Sequence, residues 1–199
     1  MKSNKASRAW INEHVNDFYV KQAQKVGYRS RAAYKLIEIA QRDQLFGPGM
    51  IVVDLGAAPG SWSQVCRERI GKSGKIIALD MLMMLPLDGV AFIQGDFSEE
   101  KVCKIIEDHL AGELADLVLS DMSPNLAGIG MSDQARSINL AELALSFANN
   151  KLKPGGSFLV KIFQGSYVDQ FIQDMRPHFK KVMIRKPKAS RSRSRELYL

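Results

Sequence analysis

Short apolar runs alternate with helix-like segments through most of the chain, and this alternation limits the possible folds more than any other feature. The runs have the length and the β-branched content of buried strands: Ile51–Gly56, Lys75–Asp80, Val90–Asp96, Ala115–Asp121 and Ser157–Phe163. The segments that follow them predict helices: Ser61–Ile70, Glu99–Leu110, Asp133–Leu152 and Val168–Phe179. The alternation therefore predicts an α/β fold, in which helices cover both faces of a mostly parallel sheet.

Both ends of the chain extend this pattern. Ala6–Ala23 and Ser30–Arg42 predict two basic amphipathic helices, while Lys181–Lys186 and Glu196–Leu199 predict an antiparallel pair at the sheet edge. No internal repeat or linker divides the 199 residues. We therefore expect one domain, with basic N-terminal helices in residues 1–45 and the α/β core in residues 46–199.

Positive charge is concentrated at the two ends. Residues 1–31 hold seven Lys and Arg against two acids, residues 176–199 hold nine against one, and residues 32–175 hold twelve against eighteen. This asymmetry favours a polyanion such as RNA as partner, with Arg29 and Arg31 as expected contacts. Tyr28 and Tyr34 lie among these cations and predict stacking on an exposed base. Solvated basic tails are the alternative, but interleaved aromatic residues argue against them.

Several classes of protein are excluded by composition. The chain has no apolar run of about eighteen residues and no signal peptide, so we expect a cytoplasmic protein without membrane association. Cys66 and Cys103 are far apart and share no ligand spacing with the three histidines. The sequence therefore predicts neither a disulfide framework nor a metal site.

Four aspartates close or follow the predicted strands: Asp54, Asp80, Asp96 and Asp121. Because the carboxyl ends of parallel strands meet at one edge, these acids predict a ligand site there. The loop in residues 54–62 is rich in glycine and alanine, which lets a backbone approach a ligand closely. It lacks the G-x-G-x-x-G pattern, so the dinucleotide-binding fingerprint is absent.

A lysine interrupts the last apolar run, Ser157–Phe163. An ammonium group is costly in a buried strand unless it is paired or used. Lys161 is therefore a candidate functional residue at the cleft edge, close to the acid of the neighbouring strand. A structural lysine that extends to water from a strand end is the alternative.

The loop after the first strand, the acid that closes the second and Gly95-Asp96 after the third resemble the S-adenosylmethionine site of Rossmann-like methyltransferases. In that family the loop passes the methionine moiety, the second-strand acid binds the ribose hydroxyls, and the third-strand acid faces the adenine amino group. The resemblance implies S-adenosyl-L-methionine as cofactor. It implies these cofactor-binding residues: Gly56, Pro59, Gly60, Trp62, Asp80, Asp96 and Asp121.

A more specific resemblance covers nearly the whole chain. Six stretches are similar to the FtsJ/RrmJ-type RNA 2′-O-ribose methyltransferases: residues 27–36, 53–64, 94–97, 120–125, 155–165 and 186–196. Ser61 departs from this pattern, since a third glycine is common there. The resemblance implies a Rossmann-like class I methyltransferase fold with a seven-stranded, mostly parallel sheet. It also implies a catalytic Lys-Asp-Lys-Glu tetrad: Lys35, Asp121, Lys161 and Glu196.

The tetrad suits transfer of a methyl group from a sulfonium to a ribose 2′-hydroxyl, an in-line displacement that requires alignment and loss of the hydroxyl proton. Lys161 either takes the proton or orients the hydroxyl, and the sequence leaves both roles open. Asp121 is expected to position Lys161, Lys35 to add positive charge near the reacting oxygen, and Glu196 to orient a lysine or the ribose.

The resemblance is strongest to the bacterial branch that modifies a uridine in large-subunit ribosomal RNA. We therefore expect a monomeric cytoplasmic enzyme of ribosome biogenesis that methylates ribosomal RNA within the assembled large subunit. One alternative is 2′-O-methylation of tRNA anticodon-loop nucleotides, and another is a non-catalytic RNA-binding assembly factor. An amino-methyltransferase that acts on a base is disfavoured, because the loop in residues 121–125 has no aromatic residue.

Overall fold

The computed structural model describes residues 17–124, 130–191 and 193–199, with the backbone alone at 130–133. The strands are β1 (Ile51–Leu55), β2 (Lys75–Asp80), β3 (Val90–Gln94), β4 (Ala115–Ser120), β5 (Leu152–Phe163) and β6 (Glu196–Tyr198). They form one sheet in the order β3-β2-β1-β4-β5-β6. Strands β1 to β5 are parallel and β6 is antiparallel to β5. The predicted α/β fold with a mostly parallel sheet is confirmed.

The helices of the described residues are α1 (Phe18–Val26), α2 (Ala33–Asp43), α3 (Ser61–Ile70), α4 (Glu100–Leu110), α5 (Gly130–Lys151) and α6 (Val168–Met175). Asp17 caps α1, since its carboxylate accepts hydrogen bonds from the backbone N–H groups of Tyr19 and Val20 at 2.9 and 3.3 Å. The predicted helix Ala6–Ala23 therefore overlaps α1 only in its last turns, and its part before Asp17 lies outside the described residues.

The sheet has six strands in the described residues, and the expectation of seven is not met. The segment Lys181–Lys186, expected to pair with β6, makes a single bridge between Arg185 and Tyr198, with two backbone hydrogen bonds of 2.7 and 2.9 Å. Pro187, two residues after Arg185, has no backbone N–H and therefore cannot donate the hydrogen bond that would extend this pairing. The Arg185 side chain turns away to Asp43 on α2, at 2.6 and 2.8 Å.

The helix α6 ends at Met175 instead of the predicted Phe179. Pro177 explains the earlier end, because a proline has no backbone N–H and cannot donate the next helical hydrogen bond, which would go to the Gln173 carbonyl. The strand β5 begins at Leu152, five residues before the predicted start, and its pairing with β4 shifts register between Ala115 and Leu117.

The core lies in two layers, one on each face of the sheet. Neighbouring residues of β1 face opposite layers, as Val52 and Val53 do. Val53 packs with apolar residues of α4, α5 and α6, and Val52 packs with those of α2 and α3. The helix α2 is thereby fixed against the sheet, with Leu36 fully buried, which fixes the position of its neighbour Lys35. In the parts of the chain that the structure describes, no helix has the length and apolarity to cross a membrane.

Candidate active site

A cavity of about 300 Å³ lies at the carboxyl edge of the sheet, where strands β1 to β4 end. Its lining includes four of the residues that the sequence assigns to a cofactor, namely Gly56, Asp80, Asp96 and Asp121. Met81, Leu82, Phe97, Met122 and Leu140 supply apolar walls. The cavity therefore has apolar walls and three carboxylates, as expected of a small-molecule site.

Two glycines shape the loop that follows β1. Gly56 has a φ of 80°, and a Cβ placed there would lie 2.7 Å from the backbone nitrogen of Met122. Gly60 has a φ of 104°, and a Cβ placed there would lie 2.7 Å from both the Arg29 guanidinium and the Met84 sulfur. Both positions favour glycine, because any other residue would strain the backbone at a positive φ and place its Cβ too close to these neighbouring atoms.

Two carboxylates of the cavity also organise the loops around it. Asp80 accepts hydrogen bonds from the backbone N–H groups of Ala58 and Leu82, at 2.9 and 2.8 Å. Asp96 accepts from the Ser98 hydroxyl at 2.7 Å and its backbone N–H at 2.9 Å, and these bonds hold the pKa of Asp96 below its usual value. Each carboxylate oxygen has a further lone pair, so both groups can also accept from a ligand.

Asp54 differs from the other strand-end acids. Its side chain is fully buried and does not line the cavity. The Ser63 hydroxyl donates to one oxygen at 2.7 Å, and the other oxygen has no partner among the described residues. Burial raises the pKa of Asp54 to about 7, although the Ser63 hydrogen bond lowers it and the charges of Asp121 and Asp80 raise it further.

The structure brings Lys161 and Asp121 together as the sequence predicts. The Lys161 ammonium donates to the Asp121 backbone carbonyl at 2.6 Å and lies 3.1 Å from its carboxylate. The Lys161 side chain is only 8% exposed. The buried strand β5 therefore accommodates a lysine near its carboxyl end, because Asp121, directly after the neighbouring strand β4, supplies two acceptors for its ammonium.

The other two tetrad residues form a second ion pair. Lys35 lies on α2 and its ammonium is 2.7 Å from the Glu196 carboxylate on β6. Burial alone would raise the pKa of Glu196, but the charge and hydrogen bond of Lys35 outweigh it and hold this pKa below its usual value. The pair therefore joins α2 to the edge of the sheet with both charges largely shielded from water.

Tyr198 connects the two ion pairs, and the sequence reasoning did not assign it to the site. It lies opposite Lys161 in the β5–β6 pairing, and its hydroxyl donates to the Asp121 carboxylate at 3.0 Å. The Lys35 ammonium lies 5.9 Å from its ring centroid. Its spacing of two from Glu196 places both side chains on one face of the strand, and this signal could have revealed it.

Trp62 and Pro59 lie near the cavity but outside its lining. The Trp62 indole is buried, donates to the Ala32 carbonyl at 2.9 Å and packs against the Tyr198 ring at 5.8 Å between centroids. The Pro59 carbonyl accepts a hydrogen bond from Arg29 at 3.0 Å. Both residues therefore contact parts of the protein other than the cavity and connect the loop to them.

Arg29 holds the two loops that flank the cavity. Besides Pro59, its guanidinium donates to the carbonyls of Leu85 and Pro86, at 2.7 and 2.8 Å. Its backbone N–H donates to Gln64 at 2.8 Å. The side chain expected to contact RNA thus ties the segment before α2 to the loops after β1 and β2.

Arg31 is also engaged within the protein. It forms an ion pair with Asp17 and donates to the Ala189 carbonyl at 2.5 Å. Tyr28, expected to stack on a base, donates its hydroxyl to Glu68 at 2.6 Å. Among the aromatic residues at positions 17–34, Phe18 is exposed, with 69% of its surface accessible.

Residues 28–199 match the profile of the FtsJ-like methyltransferases. The chain belongs to the FtsJ-like methyltransferase family. It is therefore an enzyme that transfers methyl groups from S-adenosylmethionine.

Relatives named "Ribosomal RNA large subunit methyltransferase E" are similar along the entire chain. The protein from Nitrosomonas europaea is 62% identical and that from Azoarcus sp. 59% identical, each over 100% of this chain and 97% of the relative.

Solved structures agree with this assignment. A crystal structure from Plasmodium falciparum, described as a ribosomal RNA methyltransferase, is 33% identical with a TM-score of 0.76, and the match covers 86% of this chain and 95% of that chain. A Streptococcus mutans methyltransferase in complex with SAH is 16% identical with a TM-score of 0.52, covering 81% of this chain and 93% of that chain, and supports the fold alone.

The residues present suit the cofactor of this FtsJ-like enzyme. S-adenosylmethionine carries hydroxyl, amino and ammonium donors, and the carboxylates that line the cavity accept such hydrogen bonds. Gly56 has no side chain, so its backbone itself lines the cavity. In the described part of the chain, no three His, Cys, Asp or Glu residues are grouped as metal ligands.

Proposed function

We propose that this FtsJ-like enzyme methylates the 2′-hydroxyl of a uridine ribose in large-subunit ribosomal RNA, presented within the assembled subunit in the cytoplasm. The observation that carries the proposal is the buried Lys161–Asp121 pair beside the cofactor cavity, joined through Tyr198 to Lys35 and Glu196. The full-length similarity to relatives named for large-subunit ribosomal RNA supports the substrate class.

Four of the assigned cofactor residues line the cavity, which supports the following assignment of each part of the cofactor. Asp80 would accept from the ribose hydroxyls, Asp96 would face the adenine amino group, and the loop with Gly56 and Gly60 would pass the methionine moiety. Asp121 would lie by the reacting methyl, since it lines the cavity and contacts Lys161. Pro59 and Trp62 would stabilise the conformation of this loop through their contacts with Arg29, Ala32 and Tyr198.

Lys161 would orient the acceptor hydroxyl and stabilise the negative charge that develops on its oxygen. An ammonium has three N–H donors. Asp121 provides acceptors for two of them, its carbonyl at 2.6 Å and its carboxylate at 3.1 Å. The third can donate to the ribose oxygen, which aligns that oxygen for in-line attack.

The cofactor supplies an electrophilic methyl group on a sulfonium. The ribose 2′-oxygen would take this methyl group as its bond to sulfur breaks, and the hydroxyl proton would pass to water. The two Asp121 acceptors around the Lys161 ammonium support the orienting role over the role of proton acceptor.

The N-terminal helices supply the RNA-binding surface of the proposal. Lys21 and Lys25 are exposed on α1, and this helix packs beside α2 through the Tyr19 and Tyr34 rings, 5.5 Å apart between centroids. Because α2 also carries Lys35, the exposed cations of α1 would lie on the side of the active site from which RNA approaches. Phosphate neutralisation by such cations is the main electrostatic contribution to RNA affinity.

The test compares substrates with labelled S-adenosylmethionine: unmethylated large ribosomal subunits, protein-free ribosomal RNA, small subunits and tRNA. We expect one methyl group per large subunit and far lower incorporation into the others. Preferential labelling of tRNA would establish the alternative, tRNA methylation. Failure to bind S-adenosylmethionine in calorimetry would favour a non-catalytic assembly factor.

A further inference from the structure

We propose that a second, smaller cavity binds the RNA phosphodiester next to the acceptor ribose. This inference rests on the proposed function and adds a subsite to it. The cavity has a volume of about 160 Å³, and its lining consists of Ser30, Arg31, Ala32, Lys35, Arg191, Ser194 and Glu196. We call it the phosphate pocket.

The phosphate pocket is adjacent to the groups that act on the acceptor hydroxyl. Lys35 and Glu196 belong both to its lining and to the tetrad. The Lys35 ammonium lies 5.9 Å from the Tyr198 ring centroid, and the Tyr198 hydroxyl is 3.0 Å from the Asp121 carboxylate. A nucleotide with its 2′-hydroxyl at Lys161 would thus have its backbone close to the phosphate pocket.

The pocket also borders the cofactor loop. The Ser30 hydroxyl lies 2.8 Å from the hydroxyl of Ser61, which begins α3 directly after Gly60. The phosphate pocket therefore lies between the loop that would hold the cofactor and the segment that carries Glu196.

The charge of the lining suits an anion. Three of its side chains are cations: Arg31, Lys35 and Arg191. Asp17 pairs with Arg31 and Glu196 pairs with Lys35, so the cations exceed these acids by one. Ser30 and Ser194 add hydroxyl groups, which can donate to phosphate oxygens. Arginine binds phosphate through paired, charge-assisted hydrogen bonds, which fix orientation as well as position.

One donor in this lining lacks an acceptor. The Nε atom of Arg31 is buried and has no hydrogen-bond partner among the described residues, although its other two nitrogens contact Asp17 and Ala189. A buried polar group without a partner is uncommon in folded proteins and calls for an explanation. An RNA phosphate in the pocket would supply the missing acceptor.

The size of the cavity suits one small group of the RNA, such as a phosphate, better than a larger organic ligand. Its volume of about 160 Å³ is below the roughly 300–1,000 Å³ of pockets that enclose small organic ligands. In RNA the carbon that bears the 2′-hydroxyl is bonded to the carbon that bears the 3′-phosphodiester. Holding one phosphate therefore restricts the ribose, which would align its hydroxyl with the methyl group.

The experiment neutralises one phosphate at a time. Large-subunit RNA is prepared with a methylphosphonate on the 5′ or the 3′ side of the acceptor nucleotide, assembled into subunits, and methylated by wild-type enzyme and by Arg191→Ala. We expect one of the two methylphosphonates and the Arg191→Ala change each to lower kcat/KM at least about tenfold. Combined, they should lower it little beyond either alone, because both remove the same contact.

Two variants keep the result interpretable. Arg191→Lys retains the charge and should recover part of the activity. Lys180→Ala removes an exposed cation outside the phosphate pocket and should respond to methylphosphonate as the wild type does. If neither methylphosphonate affects kcat/KM, or if its effect adds fully to that of Arg191→Ala, the inference is wrong. If unmodified subunits are not methylated at all, the proposed function itself has failed.

Discussion

The buried carboxyl of Asp54 gives a stability prediction whose size follows from the structure. Its pKa is about 7 in the folded protein, against 3.8 for an ordinary aspartate. Between these values the folded chain holds a proton that the unfolded chain has released, so the free energy of unfolding falls as the pH rises. About two pH units of this range lie above pH 5, which corresponds to about 3 kcal/mol at about 1.4 kcal/mol per unit. Asp54→Asn cannot ionise and should lose this decline.

The assay is urea unfolding of the cofactor-free protein at pH 5 and pH 8. The wild type should lose about 3 kcal/mol more than Asp54→Asn between these values, since all other groups titrate equally in both proteins. Asp88→Asn, a change at an exposed acid, is the matched control and should follow the wild type. Parallel pH profiles for wild type and Asp54→Asn would contradict this prediction, because they would show that Asp54 ionises in the folded protein without lowering the free energy of unfolding.

Three further changes test other contacts. Arg29→Ala should weaken S-adenosylmethionine binding roughly tenfold in calorimetry, because three loop carbonyls lose their hydrogen-bond donor. The salt dependence of RNA binding should stay unchanged. An unaltered cofactor affinity would show that Arg29 does not position these loops. Glu196→Gln should lower the free energy of unfolding, measured with urea, by about 3 kcal/mol, because it leaves the Lys35 ammonium largely buried and unpaired. A loss below about 0.5 kcal/mol would show that water solvates Lys35. Changing Lys21 and Lys25 to Glu should weaken RNA binding at low salt and reduce the slope of log affinity against log salt concentration by roughly two. An identical slope would show that the RNA binds elsewhere.

The sheet and the positions of the strand-end acids could be predicted because each depends on local sequence. Apolar runs such as Ile51–Leu55 are continuous when both faces of a strand are covered, and parallel strands bring their following residues to one edge. The position of Lys161 beside Asp121 followed from the same geometry. The seventh strand could not be judged in this way, since pairing around Arg185 depends on Pro187 and on the distant Asp43.

The contacts that the sequence did not reveal join segments far apart in the chain. Arg29 looked like one more cation of a basic end, and only the fold shows that its partners are carbonyls of residues 59, 85 and 86. Tyr198 looked like an aromatic residue of a basic tail, and the antiparallel register of β6 places it opposite Lys161. Charge counts describe a surface, but they do not show which cations the protein itself uses.

The most direct test of the central claim identifies the methylated atom and its dependence on Lys161. Unmethylated large subunits are treated with wild-type enzyme or with Lys161→Met, which keeps the length of the side chain but removes the ammonium. The RNA is digested to nucleosides for mass spectrometry, and cofactor affinity is measured in parallel. We expect one 2′-O-methyluridine per subunit with the wild type, and none with a Lys161→Met variant that binds S-adenosylmethionine within a few-fold of normal. A base-methylated nucleoside, or equal 2′-O-methylation by both proteins, would contradict this claim.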